Sequence, residues 1–300
     1  MSRTADHDLR HLPPATARLG AALARPKLLA IGCVLALAAL GWLYLALLVS
    51  NMGGEFSALG PGMSALDLLP RALLALCRPT LGLVMPGGAW NLSGFAAVAL
   101  MWAAMVLAMM LPSASPMILT YAEIADTAAR KGERIVSPFV LAAGYTVVWL
   151  GFAGAATLAQ FLFTRVALID PGMASASGLF SGAIFIAAGL YQFSALKHAC
   201  LTQCRQPFPF FFAHWETSAP GVFRLGLQQG LYCLGCCWAM MAVMFAVGVM
   251  NIVWMAALGV VMSLEKFTSG NRLTYGLGVL LIAAGAGFVL AAFAAHWPLR

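Results

Sequence analysis

Charge is what this 300-residue chain has least of: 9% of its residues are Asp, Glu, Lys or Arg, against 62% hydrophobic. That scarcity excludes a water-soluble domain of this length, which would have no use for so apolar a surface, and points to a membrane-spanning bundle. No Gly-x-x-x-x-Gly-Lys-Ser/Thr loop is present, nor a large polar region to hold nucleotide, so a P-loop ATPase is excluded. No small-x-small cleavage site follows the first apolar run, which outlasts the h-region of a signal peptide, so that run reads as a signal-anchor. The net charge of +7 does not imply nucleic acid, because the basic residues form no binding face.

What is present is helical and apolar. Crossing about 30 Å of hydrocarbon takes roughly 20 apolar residues. Six stretches qualify: Leu28 to Val49, Ser93 to Leu111, Phe139 to Phe163, Gly178 to Leu196, Cys236 to Met262 and Thr274 to His296. The expected fold is all-α: a polytopic transmembrane bundle of six spans, residues 28–296 forming one membrane domain behind a disordered basic leader, 1–27. Cytoplasmic segments carry the excess of Lys and Arg. With both termini in the cytoplasm, the inner segments hold 12 of the 17 basic residues and the outer ones 5. That orients the protein with its basic segments in the cytoplasm and its spans in contact with membrane lipid. The outer loop, 50–92, contains a candidate interfacial helix at Ala65 to Leu76, and the inner loop, 197–235, contains cysteines. Pro112 and Pro116 predict a break after the second span, with an amphipathic helix continuing to about Arg130. Met101-Trp102-Ala103-Ala104-Met105 is echoed 136 residues later by Cys237-Trp238-Ala239-Met240-Met241, which would relate two three-span halves as an inverted repeat.

Five of the seven cysteines fall within 38 residues: Cys200, Cys204, Cys233, Cys236 and Cys237. Facing the reducing cytoplasm, such thiols signal metal or redox chemistry rather than structural disulfides. Cys33 and Cys77 stand apart and read as small buried hydrophobes. Read as one helix at about 100° per residue, Cys233, Cys237, Met240, Met244, Gly248, Asn251, Met255 and Met262 form a single stripe headed by thiols. Sulfur donors select soft ions, Cu(I) first and Zn second. Taken alone, the methionines of this stripe, and Met101, Met105 and Met109 of the second span, are explained by core packing. Asn251 adds a polar group at membrane depth, where such groups face partners or a pathway. Ser113, beside Pro112, continues the face of Met105 and Met109. Lys197, three residues before Cys200, would charge-balance its thiolate. His198 is a secondary ligand candidate, because it points away from Cys200.

At these residues the chain resembles a bacterial family of uncharacterised membrane proteins regarded as metal-binding, some of whose members are labelled copper chaperones. The stretches that carry it are Met101-Trp102-x-x-Met105-x-x-x-Met109-Met110-x-Pro112-Ser113, Gly189-Leu190-Tyr191-Gln192, Lys197-x-x-Cys200-x-x-x-Cys204, Gly230-Leu231-Tyr232-Cys233-Leu234-Gly235-Cys236-Cys237-Trp238, Met250-Asn251 and Glu265-Lys266. The likeness spans roughly residues 95 to 295 and implies a polytopic metal-binding protein.

The leading expectation is a membrane protein that holds Cu(I) at a thiol site on its cytoplasmic rim and passes it along the methionine row or to a donor or acceptor protein. Two alternatives stand beside it. One is a thiol–disulfide electron-transfer protein, with Cys233-Leu234-Gly235-Cys236 as a C-x-x-C pair at a helix start. The other is a non-catalytic subunit for a partner enzyme, in which Gly276, Gly278, Gly285 and Gly287 allow close helix approach.

Overall fold

The computed structural model describes residues 26–51, 59–64, 90–132, 135–170 and 173–296. The leader, most of the outer loop with its candidate helix, and Cys77 lie outside the described residues. Those described form helices and no strand, with one isolated bridge between Ile169 and Ser175. In chain order the helices are α1 (Pro26–Asn51), α2 (Leu92–Ser113), α3 (Ser115–Arg130), α4 (Pro138–Arg165), α5 (Gly178–Tyr191), α6 (Ala195–Arg205), α7 (Pro207–Ala213), α8 (Ala219–Ala242), α9 (Met244–Val247), α10 (Ile252–Phe267) and α11 (Arg272–His296). Five segments are long and apolar enough to cross a membrane: Ala30–Asn51, Leu92–Ser113, Pro138–Arg165, Ala219–Val247 and Arg272–Ala294. The pair α5 and α6, bent by 64°, gives a sixth candidate when the two are counted as one span.

The break predicted at the two prolines is there, between α2 and α3, and the chain repairs its hydrogen bonding locally. Pro112 has no N–H to offer the carbonyl four residues back, and Ala108 O instead accepts the Trp42 indole of α1 at 3.1 Å. Pro116 likewise frees Pro112 O, which the Ser115 hydroxyl takes at 2.7 Å. The indole that pins α1 to α2 is thus bound where a proline made room for it.

Glycines set the closest approaches. A Cβ on Gly226 of α8 would lie 2.2 Å from Leu141 O of α4, and one on Gly144 would lie 2.3 Å from Phe223 O. Gly226 sits on Leu141 and Gly144, and Gly230 one turn on sits on Tyr145 and Val148, so α4 and α8 are parallel neighbours. On the other flank α11 packs antiparallel to α5, with Gly285 against Gly182 and Gly278 against Gln192. Gly276 and Gly287 meet nothing within 4 Å and face outward. Only two of the four glycines singled out on this helix are therefore spent inside the chain. Of the two tryptophans in the proposed echo, Trp102 is wholly buried on Gln160 of α4, whereas Trp238 is 42% exposed.

The fifth span differs from the expectation. The stripe from Cys233 to Met262 presupposes one helix, but the helix stops at Val247 and reverses. Gly248 adopts φ +100°, a left-handed conformation, and a Cβ there would meet Leu59 O at 2.4 Å, so no side chain fits. Asn251 then caps α10: its Oδ1 accepts from Trp254 N at 3.1 Å, and its Nδ2 donates to Pro61 O and Val247 O. Asn251 is accordingly a capping residue. Met255 and Met262 return alongside α8 rather than extending the row outward. The reversal adds a traverse of 16 residues that brings Lys266 back to the level of Cys233.

Candidate metal centre

The sequence reading had the second cysteine cluster opening a helix. In the fold α8 begins at Ala219, so Cys233 lies about 21 Å along it at roughly 1.5 Å per residue. Around that level other helices stop. α6 ends at Arg205, α10 ends at Phe267, and α2 breaks at Ser113. Helix C-termini carry partial negative charge and favour cations nearby. The wall that faces these ends is made by α8 and the parallel α4.

Four thiols meet here. The sulfurs of Cys233, Cys236 and Cys237 lie within 4.8 Å of one another, all buried. Cys236 Sγ is 3.4 Å from Cys237 Sγ, and 3.9 Å from Cys204 Sγ on α6. Sulfurs bound to one tetrahedral ion through bonds of ~2.3 Å stand about 3.8 Å apart. The spacing of Cys233, Cys236 and Cys237 therefore suits a single soft ion, with Cys204 at the edge of the group through Cys236. Cys236 is the hub, touching thiols on both sides, and its own Sγ also reaches Cys233 O at 3.2 Å.

Cys200 is not part of this group. It sits one turn before Cys204, but its sulfur lies over Gly235, where an added Cβ would come within 2.5 Å of it. Only the second thiol of the pair reaches the cluster.

The ammonium beside the thiols is not Lys197 but Lys266. Its Nζ donates to Cys233 Sγ at 3.0 Å and to Ser113 Oγ at 2.8 Å, and the residue is buried. A buried ammonium needs an anionic partner, and of these two only the cysteine can be one. Thiolate is also the form that binds metal. Tyr145 of α4 adds a hydroxyl 3.0 Å from the same sulfur and within 3.1 Å of Met110 O. Ser113 Oγ donates to Met110 O as well, so Ser113 takes part in the site through Lys266 while Pro112 shapes the break beside it. Sequence reasoning noted Glu265-Lys266 only as part of a resemblance and placed Lys266 in an outer segment. It missed Tyr145 altogether.

Lys197 serves elsewhere. It forms an ion pair with Glu265 at 2.9 Å, both side chains shut off from solvent. Arg205 Nε donates to Glu265 O at 2.8 Å, fastening the end of α10 to that of α6. His198 faces this side too, its ring edge-on to Tyr275 at 5.2 Å, so it is not brought to the thiols. The methionines are core. Met105, Met109, Met240 and Met244 are all buried. Met109 packs against Gly259, and Met240 Sδ accepts from Gln192 Nε2 at 2.9 Å.

Four thiols, a desolvated ammonium and converging helix ends are the chemistry of a soft-cation site. The family model described as "Copper chaperone", PpoB2, matches residues 99–288. The chain belongs to this copper-chaperone family. The match takes in every element of the thiol centre, from α2 through α10, and most of α11. No curated protein and no solved structure matches the chain.

Proposed function

We propose that this member of the copper-chaperone family binds Cu(I), as cargo, at the thiols of Cys204, Cys233, Cys236 and Cys237 and passes it to or from a partner protein at the cytoplasmic side of a bacterial inner membrane. The convergence of four sulfurs from α6 and α8 beside a buried ammonium carries this reading. Sulfur donors without an oxygen or imidazole ligand favour Cu(I) over harder ions. Met240, one turn on, is a thioether that could take the ion next if Gln192 released it. Cys200, His198, Met105, Met109 and Met244 are assigned no ligand role.

The charge pattern supports the orientation. If the end where α1 begins faces the cytoplasm, the seven-traverse path puts 13 of the 17 basic residues on that side and 4 on the other. Lys266 and Arg272 change sides relative to a six-span path, and Arg300 moves out. The thiol–disulfide alternative loses one support, because Cys233 and Cys236 stand mid-helix and not at a helix start, where thiolates gain from the dipole.

The experiment is anaerobic titration of purified protein with Cu(I) against a chromophoric chelator, in the native form and with the four cysteines changed to serine. Stoichiometric binding that vanishes in the variant is expected. Equal copper retention by both forms would remove the proposal.

A further inference from the structure

The metal centre makes no use of two exposed phenylalanines. Phe208 and Phe212 of α7 stack at 6.2 Å and are 57% and 78% exposed. With Phe211, Trp215, and Ile124 and Ala128 of α3, they line a groove of about 450 Å³ between the two helices. Its wall is fixed from within, because the buried Tyr121 meets Phe211 edge-on at 5.5 Å and stacks on Trp215 at 5.6 Å. Depth decides what such a groove faces. With Arg165 at one edge of the hydrocarbon core, Tyr145, twenty residues earlier on α4 and about 30 Å away, marks the other edge. Pro138 opens α4 about 10 Å beyond Tyr145. Val136, further out still, accepts the Tyr121 hydroxyl at 3.1 Å. A headgroup layer is only about 5–8 Å deep. The groove therefore stands clear of the bilayer, and its aromatics face water. An exposed apolar patch of this kind, with Thr120, Thr127 and Lys131 on its rim, marks an interaction site.

We propose that this groove docks the partner protein, and that it takes from the partner a short amphipathic helix with an acidic side chain beside its apolar face. The proposal rests on the Cu(I) reading for the partner's cargo alone; docking itself involves no metal. Shape argues for a helix. The groove follows α3 from Thr120 to Lys131, three turns or about 16 Å, and a helix laid along it would anchor apolar side chains at i, i+4 and i+7. Charge sets the acidic residue, since Lys131 is exposed at one end of the groove and has no ion-pair partner among the described residues. Position ties the groove to the thiols. Pro116 and Met117 of α3 border Cys204 and Cys233, Thr120 lies about 5 Å further along the same helix, and α7 starts three residues after Cys204. Aromatics already held in place by Tyr121 bind with little loss of side-chain freedom, which suits them as anchors of an interface.

The test uses the metal-free full chain in lipid nanodiscs and a displayed library of helical peptides about four turns long, randomised along one face. Peptides enriched on the native protein should carry apolar residues at i, i+4 and i+7 with an acidic residue beside them. Their binding, read by fluorescence anisotropy, should weaken roughly tenfold in Phe212→Ala. Lys131→Glu should weaken it severalfold and favour basic counterparts of the same peptides instead. Both side chains are exposed, so the unfolding midpoint and the Cu(I) titration should not change in either variant. A library that yields no enriched peptide, or peptides that bind native protein and variants alike, overturns the proposal. Phospholipid that copurifies with the native chain and is lost from Phe212→Ala, with no peptide enriched, assigns the groove to the membrane and also overturns it. Peptides that bind as expected to a protein that takes up no Cu(I) leave the docking surface standing and remove the Cu(I) reading.

Discussion

Glu265→Gln tests whether the ion pair at the end of α10 holds the metal centre together. Lys197 and Glu265 are 2.9 Å apart with side chains 0% and 1% exposed. At an effective dielectric of about 20 their attraction is on the order of 6 kcal/mol. Desolvating the two ions offsets most of this, at several kcal/mol each, so the pair as a unit adds little net stability. Removing one partner is different, because the Lys197 ammonium then stays buried and uncompensated. The expected loss is about 3–5 kcal/mol. Replacing both, Lys197→Met with Glu265→Leu, should restore most of it. The assay is equilibrium unfolding in detergent micelles as a double-substitution cycle. Because Lys266 follows Glu265 directly, loosening this end should also lengthen the 3.0 Å contact to Cys233 and weaken Cu(I) binding by roughly 10–100-fold. A single-variant loss under ~1 kcal/mol, or strictly additive effects, would refute the claim that these charges are a buried, mutually dependent pair.

Cys236→Ser should weaken Cu(I) binding by roughly 10–100-fold, since Cys236 contacts thiols on both helices; Cys200→Ser should leave it within about twofold, and chelator competition on the two variants ranks them. Gly226→Ala should destabilise by about 1–3 kcal/mol, because the new methyl meets the backbone of α4, whereas Gly276→Ala, with nothing within 4 Å, should be neutral or slightly stabilising in the same unfolding assay. Reporter fusions at the two termini should show them on opposite faces of the membrane; activity of both on one face would contradict the traverse through α10.

Why the apolar helices were legible and the turn at Gly248 was not has a physical answer. Runs such as Phe139 to Phe163 are predominantly apolar over more than 20 residues and carry no charge, and nothing but a helix satisfies their backbone in lipid. The proline break was legible for the same local reason, since Pro112 and Pro116 each delete a helical donor. Gly248 deletes nothing. Its flanks, Met244 to Val247 and Ile252 to Met255, are as apolar as any helix interior. The left-handed turn is imposed by contacts from far along the chain: Leu59 O presses on Gly248, Gly60 on Val247, and Pro61 O accepts from Asn251. A helix interrupted by tertiary contact leaves the hydropathy profile continuous, and the helical wheel drawn through it becomes fictitious.

The same interruption decides which ammonium serves the thiols. On an unbroken span Lys266 is carried to the far side of the membrane, and Lys197, three residues from Cys200, is the natural counter-ion by sequence distance. Folding α10 back brings Lys266 to Cys233 across 33 positions and hands Lys197 to Glu265 across 68. Two adjacent residues of α10, Glu265 and Lys266, thus bind opposite partners: Glu265 fixes the helix end to α6, and Lys266 reaches the sulfur on α8. The cysteines could be grouped from spacing because Cys233, Cys236 and Cys237 share one helix face within four positions. Their electrostatic setting could not, because it depends on where a distant helix ends. In a protein with so few charges, each buried one is constrained by packing, and the placement of Lys266 against a thiol is the clearest sign that this centre is built to hold sulfur as an anion.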